Sequence, residues 1–255
     1  MLCNKIVCFG STFVVASALI GCAPAMVKDI AANKTGYMND YFNPQHLSEG
    51  ISRELSKSEK VSYNYNSISV KLNVTFEDLD KKRETPTAVF TFKNAGNGFV
   101  QEMREFSNNG IPYGIKYVLS YGGLIGLKEQ NVRFNQTNAS FVTEAKQFTI
   151  FQQSFLKPTE NTDYSYEWTY GNSPQIANFN TMKLSCKTEA FFSASKISSK
   201  LNGRAIEFKC ERFVNGIQRS REKYTFLESY GLAVTAEHQS SGQTEKYDIQ
   251  GVEVL

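Results

Sequence analysis

From Ser67 to Phe76 the chain alternates without a break: Ile68, Val70, Leu72, Val74 and Phe76 are apolar, and Ser67, Ser69, Lys71, Asn73 and Thr75 between them are polar. A period of two places successive side chains on opposite faces of an extended strand and cannot form a helical stripe. One face is buried and the other wet, which is the pattern of an antiparallel sheet. The composition agrees: 13% of residues are aromatic, with 19 Phe and 13 Tyr against the single Trp168, and such rings suit a half-buried pleated surface.

Further strands are expected at 87–93, 98–106, 114–121, 123–127, 131–135 and 139–151, punctuated by the turn dipeptides Asn97-Gly98 and Asn109-Gly110. A second run is expected at 183–190, 204–213, 217–227, 231–238 and 244–254. Residues 156–182, with Pro158, Pro174 and several Asn and Thr, read as a connecting segment. The two runs resemble each other, with Asn109-Gly110-Ile111 matching Asn215-Gly216-Ile217 and Tyr121-Gly122 matching Tyr230-Gly231. The expected fold is therefore all-β: an antiparallel meander or open half-barrel, in one or two similar β sub-domains, the two falling at 61–155 and 183–255. One short helix precedes it within a tether at 22–60, with Asn43 as N-cap, Pro44 at the first position and Leu47, Ile51 and Leu55 four apart.

Face parity also sets a register for the second Asn-Gly hairpin. Ile206, Phe208 and Cys210 must share a face with Tyr224 and Phe226, which a two-residue turn does not allow. A three-residue loop Val214-Asn215-Gly216 restores parity and pairs Ile206 with Tyr224, Glu211 with Arg219 and Glu207 with Lys223. It leaves Phe208 facing Glu222, and a Phe213–Gln218 pair excludes it.

At the N-terminus, Lys5 is followed by an uncharged run from Ile6 to Gly21 that is shorter than the roughly 20 residues of a spanning helix. Its end, Leu19-Ile20-Gly21-Cys22, resembles the lipobox of bacterial lipoproteins. The resemblance covers the first 22 residues. It implies a signal peptide at 1–21, cleavage after Gly21, and acylation of Cys22 with chains such as palmitate, enough to hold the protein stably on a membrane. Ala23, rather than an acidic residue, resembles the pattern of outer-membrane sorting, which implies a periplasm-facing protein anchored in the cell outer membrane.

Of five cysteines, Cys3 and Cys8 leave with the signal and Cys22 carries lipid. Cys186 and Cys210 remain, an even pair in an exported chain and so an expected disulfide. Without Lys5 the net charge is +2, which gives no support to bulk nucleic-acid binding. Residues 196–223 nevertheless hold eight basic against three acidic residues. Within them Lys209, Arg212, Arg219, Arg221 and Lys223 form a candidate patch for an anionic lipid or glycan, or a wet hairpin face guarding a sheet edge.

No nucleophile elbow, zinc-protease motif or phosphate loop is present. His46 and His238 are the only histidines, and His238 is expected at a strand end facing solvent. Glu77, Asp78 and Asp80 are dense, but Lys81, Lys82 and Arg83 beside them favour a solvated turn over a cation site. No cofactor, metal or catalytic role is expected. The sequence points to a lipid-anchored envelope protein that binds or scaffolds an envelope partner through a sheet edge or concave face. The alternatives are a lipid or lipopeptide carrier and, third, an envelope hydrolase.

Overall fold

A computed structural model describes residues 25–58, 60–78 and 86–255. Twelve antiparallel strands follow one another: β1 (Ser67–Asp78), β2 (Thr87–Asn94), β3 (Phe99–Asn108), β4 (Ile111–Tyr121), β5 (Ile125–Arg133), β6 (Thr143–Ile150), β7 (Asp163–Asn172), β8 (Asn180–Ser193), β9 (Arg204–Val214), β10 (Ile217–Leu227), β11 (Leu232–Ser240) and β12 (Gln243–Val254). Each pairs with its neighbours in sequence, and β1 pairs with both β2 and β12, so the sheet is a closed barrel. This corrects the open half-barrel: the described strands leave no free edge. The ranges 61–155 and 183–255 are not separate sheets but contribute to one ring. The segment 156–182 is not merely a connection, because it contains β7.

Directly paired residues share a face. The register carries Val70 to Phe90, Arg104, Lys116 and Asn131 across β1–β5. In the other direction it carries Phe76 to Glu245, His238, Glu222, Cys210, Cys186 and Tyr164 across β12–β7. These face the interior. Most of the outer face is polar, with Lys71, Lys187, Lys209 and Arg221 exposed, the reverse of a barrel whose outer wall meets lipid. Among the described residues no helix is long and apolar enough to cross a membrane.

The N-terminal segment is packed rather than a tether. Helices α1 (Val27–Ala32) and α2 (Lys34–Tyr41) bury Val27, Ile30, Tyr37 and Met38, together with Phe42, against the outward Met103, Ile115, Tyr117, Leu119 and Val132 of β3–β5. The expected helix is present as α3 (Glu49–Leu55), separated from a 3-10 turn at Pro44–His46 in which Asn43 accepts a hydrogen bond from the Gln45 amide. It lies on β6, where β5 and β6 share only two residue pairs. Ser48 donates there to the Ala145 and Lys146 carbonyls, and Ile51 is fully buried.

The Asn215-Gly216 hairpin pairs Phe213 with Gln218, which overturns the three-residue loop. Asn215 (φ 50°) and Gly216 (φ 76°) form a two-residue turn with both centres left-handed. Parity is restored by a bulge at Arg219, after which Cys210 meets Glu222 and Phe208 meets Tyr224. The Asn109-Gly110 hairpin uses the same device, with its bulge at Tyr113.

Two connections close one end of the barrel. The tight β4–β5 turn reaches across to β11, where Gly122 O accepts from the Ala233 amide at 2.8 Å. Gly123 (φ 71°) admits no side chain, since a Cβ would meet Ala233 O at 2.4 Å. Phe155 and Leu156 of the β6–β7 connection pack beneath it, with Tyr121, Leu124 and Phe226 in the same cluster. Cys186 and Cys210 are bonded across β8 and β9 within that cluster. Their 24-residue separation restricts the unfolded chain by about 3 kcal/mol. A Cys186→Ala/Cys210→Ala variant is therefore expected to lose about 3 kcal/mol of stability, read as a lower urea midpoint.

Candidate functional site

Odd-to-even strand connections all lie at one end of an antiparallel barrel, here called rim A; the opposite end is the one closed by the β4–β5 turn. On most strands, the interior polar residues fall towards rim A. They line a cavity of about 430 Å³ whose wall includes Glu102, Arg104, Lys116, Glu129, Arg212, Glu222, His238, Glu245 and Tyr247, with Trp168, Tyr170 and Tyr224 among the aromatics. Its floor is Gly123-Leu124. Phe106, Asn131, Glu245 and Tyr247 are shared with a second depression at rim A that adds Phe76, Tyr113 and Phe134, so the cavity opens there.

The charges are paired. On β3, Arg104 donates from Nε and Nη2 to Glu102 Oε2 at 3.0 and 2.6 Å, and Ser120 donates to Glu102 Oε1 at 2.5 Å. The guanidinium also lies over the Phe90 ring at 5.0 Å. Burial lowers the pKa of Arg104, but the Glu102 charge outweighs it and holds the group above its ordinary value. Across β4 and β5, Lys116 Nζ is 2.8 Å from Glu129. The Lys116 charge pulls the Glu129 carboxyl down to about 2 against the opposing effect of burial, with Arg212 and Arg104 adding to the pull. The Glu129 side chain keeps 35% of its accessible surface, and that surface faces the cavity.

The third group joins β9, β10 and β11. Arg212 Nε and Nη2 donate to the two Glu222 oxygens at 2.7 and 2.8 Å, a bidentate pair. Ser220 donates to Glu222 at 2.9 Å and the Tyr224 hydroxyl donates to its other oxygen. His238 Nδ1 lies 3.6 Å from Glu222. Burial pushes the Glu222 carboxyl up, but Arg212 draws it well below the usual carboxylate range. Burial raises the Tyr224 and Tyr247 hydroxyls, and Glu222 and Glu245 respectively raise them further. Tyr247 donates to Glu245 at 2.6 Å.

The expected basic patch does not form as a unit. Arg212 is inside, paired with Glu222, because the Arg219 bulge fixes the faces of the hairpin. Lys209, Arg221 and Lys223 are on the outer face, each beside an acid: Glu189, Glu211 at 3.3 Å and Glu237 at 3.8 Å. Arg219 is exposed at the bulge near rim A. His238, expected to face solvent, points inward because Glu245 and Glu222 are its cross-strand partners. Among the described residues no cluster with metal-holding composition occurs. Glu77 pairs with Lys246 at 2.9 Å, while Asp80, Lys81, Lys82 and Arg83 lie outside the described residues. Cys22 and the rest of the lipobox lie outside them too.

Glu102, Arg104, Lys116, Glu129 and Glu245 were not singled out from the sequence. Each occupies a position that the register with the neighbouring strands turns inward.

Both depressed carboxylates stabilise the fold in their ionised form. That contribution is present above the ordinary value of 4.5 and is lost as pH falls through the folded value, about 2 for Glu129. Stability in urea is expected to decline over that window, and Glu129→Gln to flatten the decline. Arg212→Leu strands the buried Glu222 and should cost about 3–5 kcal/mol at neutral pH, measurable by the same titration.

No protein-family model matches the chain, and no curated protein matches it. Among solved structures, it is similar to a β-barrel-like protein of a domain of unknown function, DUF1849, from Brucella abortus, at 8% identity and a TM-score of 0.48, covering 76% of this chain and all of that one. It is also similar to the hypothetical lipoprotein YmcC from Escherichia coli, at 9% identity and a TM-score of 0.33, covering 88% of this chain and 95% of that one.

Proposed function

We propose that the chain is a bacterial envelope lipoprotein, held through acylated Cys22 in the outer membrane on its periplasmic side. In this reading its barrel binds a small uncharged or zwitterionic polar ligand without transforming it. The observation that carries the binding role is the water-accessible cavity lined by charges of both signs. Its volume lies within the range of small-molecule sites, about 300–1,000 Å³. Glu102, Glu129, Glu144, Glu222 and Glu245 line it with Arg104, Lys116 and Arg212, so a bare anion meets an excess of acids and a bare cation meets three fixed bases. Hydroxyls or paired opposite charges find partners in the wall, and the half-buried Tyr170 offers an aromatic surface to a ring.

The same groups are poorly tuned for proton transfer. Glu129 and Glu222 hold their negative charge at low pH, and Tyr224 and Tyr247 hold their protons at high pH, so these four are not poised near neutrality as a general acid or base should be; His238, 3.6 Å from Glu222 on the same wall, is the residue on which a hydrolase reading rests. The four unpoised groups favour binding, and His238 beside Glu222 keeps the envelope hydrolase as the alternative. An acyl chain in the cavity would strip water from Lys116 and Glu129 without replacing its hydrogen bonds, which makes an apolar carrier the weaker alternative. A sheet-edge scaffold finds no free edge among the described strands.

Trp168 is the sole tryptophan and lines the cavity, so its fluorescence reports occupancy directly. Titration with N-acetylglucosamine and glycerophosphoethanolamine should shift the emission saturably with at least one of them, and Lys116→Met/Glu129→Leu should abolish the shift. An unresponsive tryptophan across both probes counts against the reading. Attachment is tested separately: a fatty-acid precursor should label the wild type and fail to label Cys22→Ser.

A further inference from the structure

The exposed large apolar side chains of the described residues are unevenly placed. Met26, Ile111, Tyr113, Phe141, Ile176 and Ile217 are all at rim A, and Ile176 is 92% exposed. Tyr41, Ile150 and Leu255 are elsewhere. The six occupy the start of the described chain and the β3–β4, β5–β6, β7–β8 and β9–β10 connections with their flanking residues, which are consecutive around the ring. Ile111 and Ile217 each follow directly on an Asn-Gly turn, so the tightest hairpins present an isoleucine at their tips. Arg133, Lys183 and Arg219 are exposed on strand segments next to the same connections.

The chain enters the fold at this rim. Met26 bridges to Asn138, the Val27 amide donates to Thr137 O at 2.9 Å, and the Ala139 amide donates to Ala25 O at 2.9 Å. Residues 137–139 belong to the β5–β6 connection, in the middle of the apolar arc. Cys22 is three residues before Ala25, a reach of about 11 Å at most. A lipid on Cys22 therefore brings these tips to the membrane surface.

We infer that rim A docks on the lipid bilayer, with the β3–β4 to β9–β10 connections seated among the headgroups and the cavity mouth turned toward them. The inference rests on the anchoring of Cys22 proposed above. Apolar tips flanked by arginine and lysine are the chemistry of an interfacial contact, and the polar outer wall of the barrel away from that rim stays in water. The ligand of the cavity then enters from the headgroup layer, as the polar end of a membrane amphiphile.

The test uses the full chain purified from envelopes and reconstituted in vesicles of phosphatidylethanolamine and phosphatidylglycerol, with a nitroxide on Ile176→Cys or Ile217→Cys and, at the far end, on Leu255→Cys. Docking predicts loss of contact with a water-borne nickel relaxant at 176 and 217, gain of contact with lipid-dissolved oxygen there, and the opposite at 255. An added Ile111→Ser/Phe141→Ser change should restore the water-borne contact at 176. Equal water access at both ends of an acylated protein overturns the inference. Protection of rim A in intact envelopes but not in vesicles assigns the rim to a protein partner and also overturns it. An intact mass showing unmodified Cys22 overturns instead the anchoring on which it rests.

Discussion

β1 hydrogen-bonds to β2 on one side and to β12 on the other, and that double pairing decides what the interior must contain. A ring of eight strands is just wide enough for its own side chains to fill, and twelve leave more room than aliphatic residues close. The half near the β4–β5 turn meets the demand with large rings: Tyr166, Phe92, Phe155 and Phe226 are fully buried. Towards rim A the wall carries arginine, lysine and glutamate instead. A cavity bounded by ions stays hydrated, since removing that water would leave charges without partners. The balance of acids and bases is thus a condition for keeping the space open without unfolding the barrel.

Closure also makes face parity a global constraint, because an error in one hairpin would turn every later strand inside out. Both Asn-Gly hairpins solve it in the same way, with a left-handed two-residue turn and then one bulged residue, Tyr113 or Arg219. They lie six strands apart in a twelve-stranded ring, and each is followed by a Tyr-Gly pair whose glycine, Gly122 or Gly231, has positive φ. The similarity of the two stretches in sequence is therefore a similarity of place in the barrel.

β1 could be read directly from its ten alternating residues, and most other strands from similar patterns. β7 was hidden between prolines and asparagines, although Tyr164, Tyr166, Trp168 and Tyr170 alternate with Ser165, Glu167 and Thr169 along it. The difference between an open and a closed sheet was out of reach, since it depends on pairs such as Val70 with Val252 that lie far apart in the chain. The site was hidden for a different reason. Glu102 and Arg104 flank Met103 on a strand buried on both faces, by the barrel on one side and α1–α2 on the other, so no contrast of polar and apolar positions marks them. Their partners, Lys116, Ser120 and Glu129, come from other strands and look like ordinary surface residues until the register is known.

The N-terminal segment links these features mechanically. Lys128 donates to the His46 carbonyl at 3.0 Å and Gln130 accepts from the Tyr37 hydroxyl at 2.7 Å, both from the outer face of β5. On the inner face of the same strand Glu129 holds Lys116. The first described residues of the chain are thus fastened to the strand whose other side forms the cavity wall. A loose N-terminal tether would leave the barrel free to rotate about it. A chain stitched to the β5–β6 connection and then packed along β3–β5 fixes the orientation of the barrel relative to Ala25, where the described chain begins.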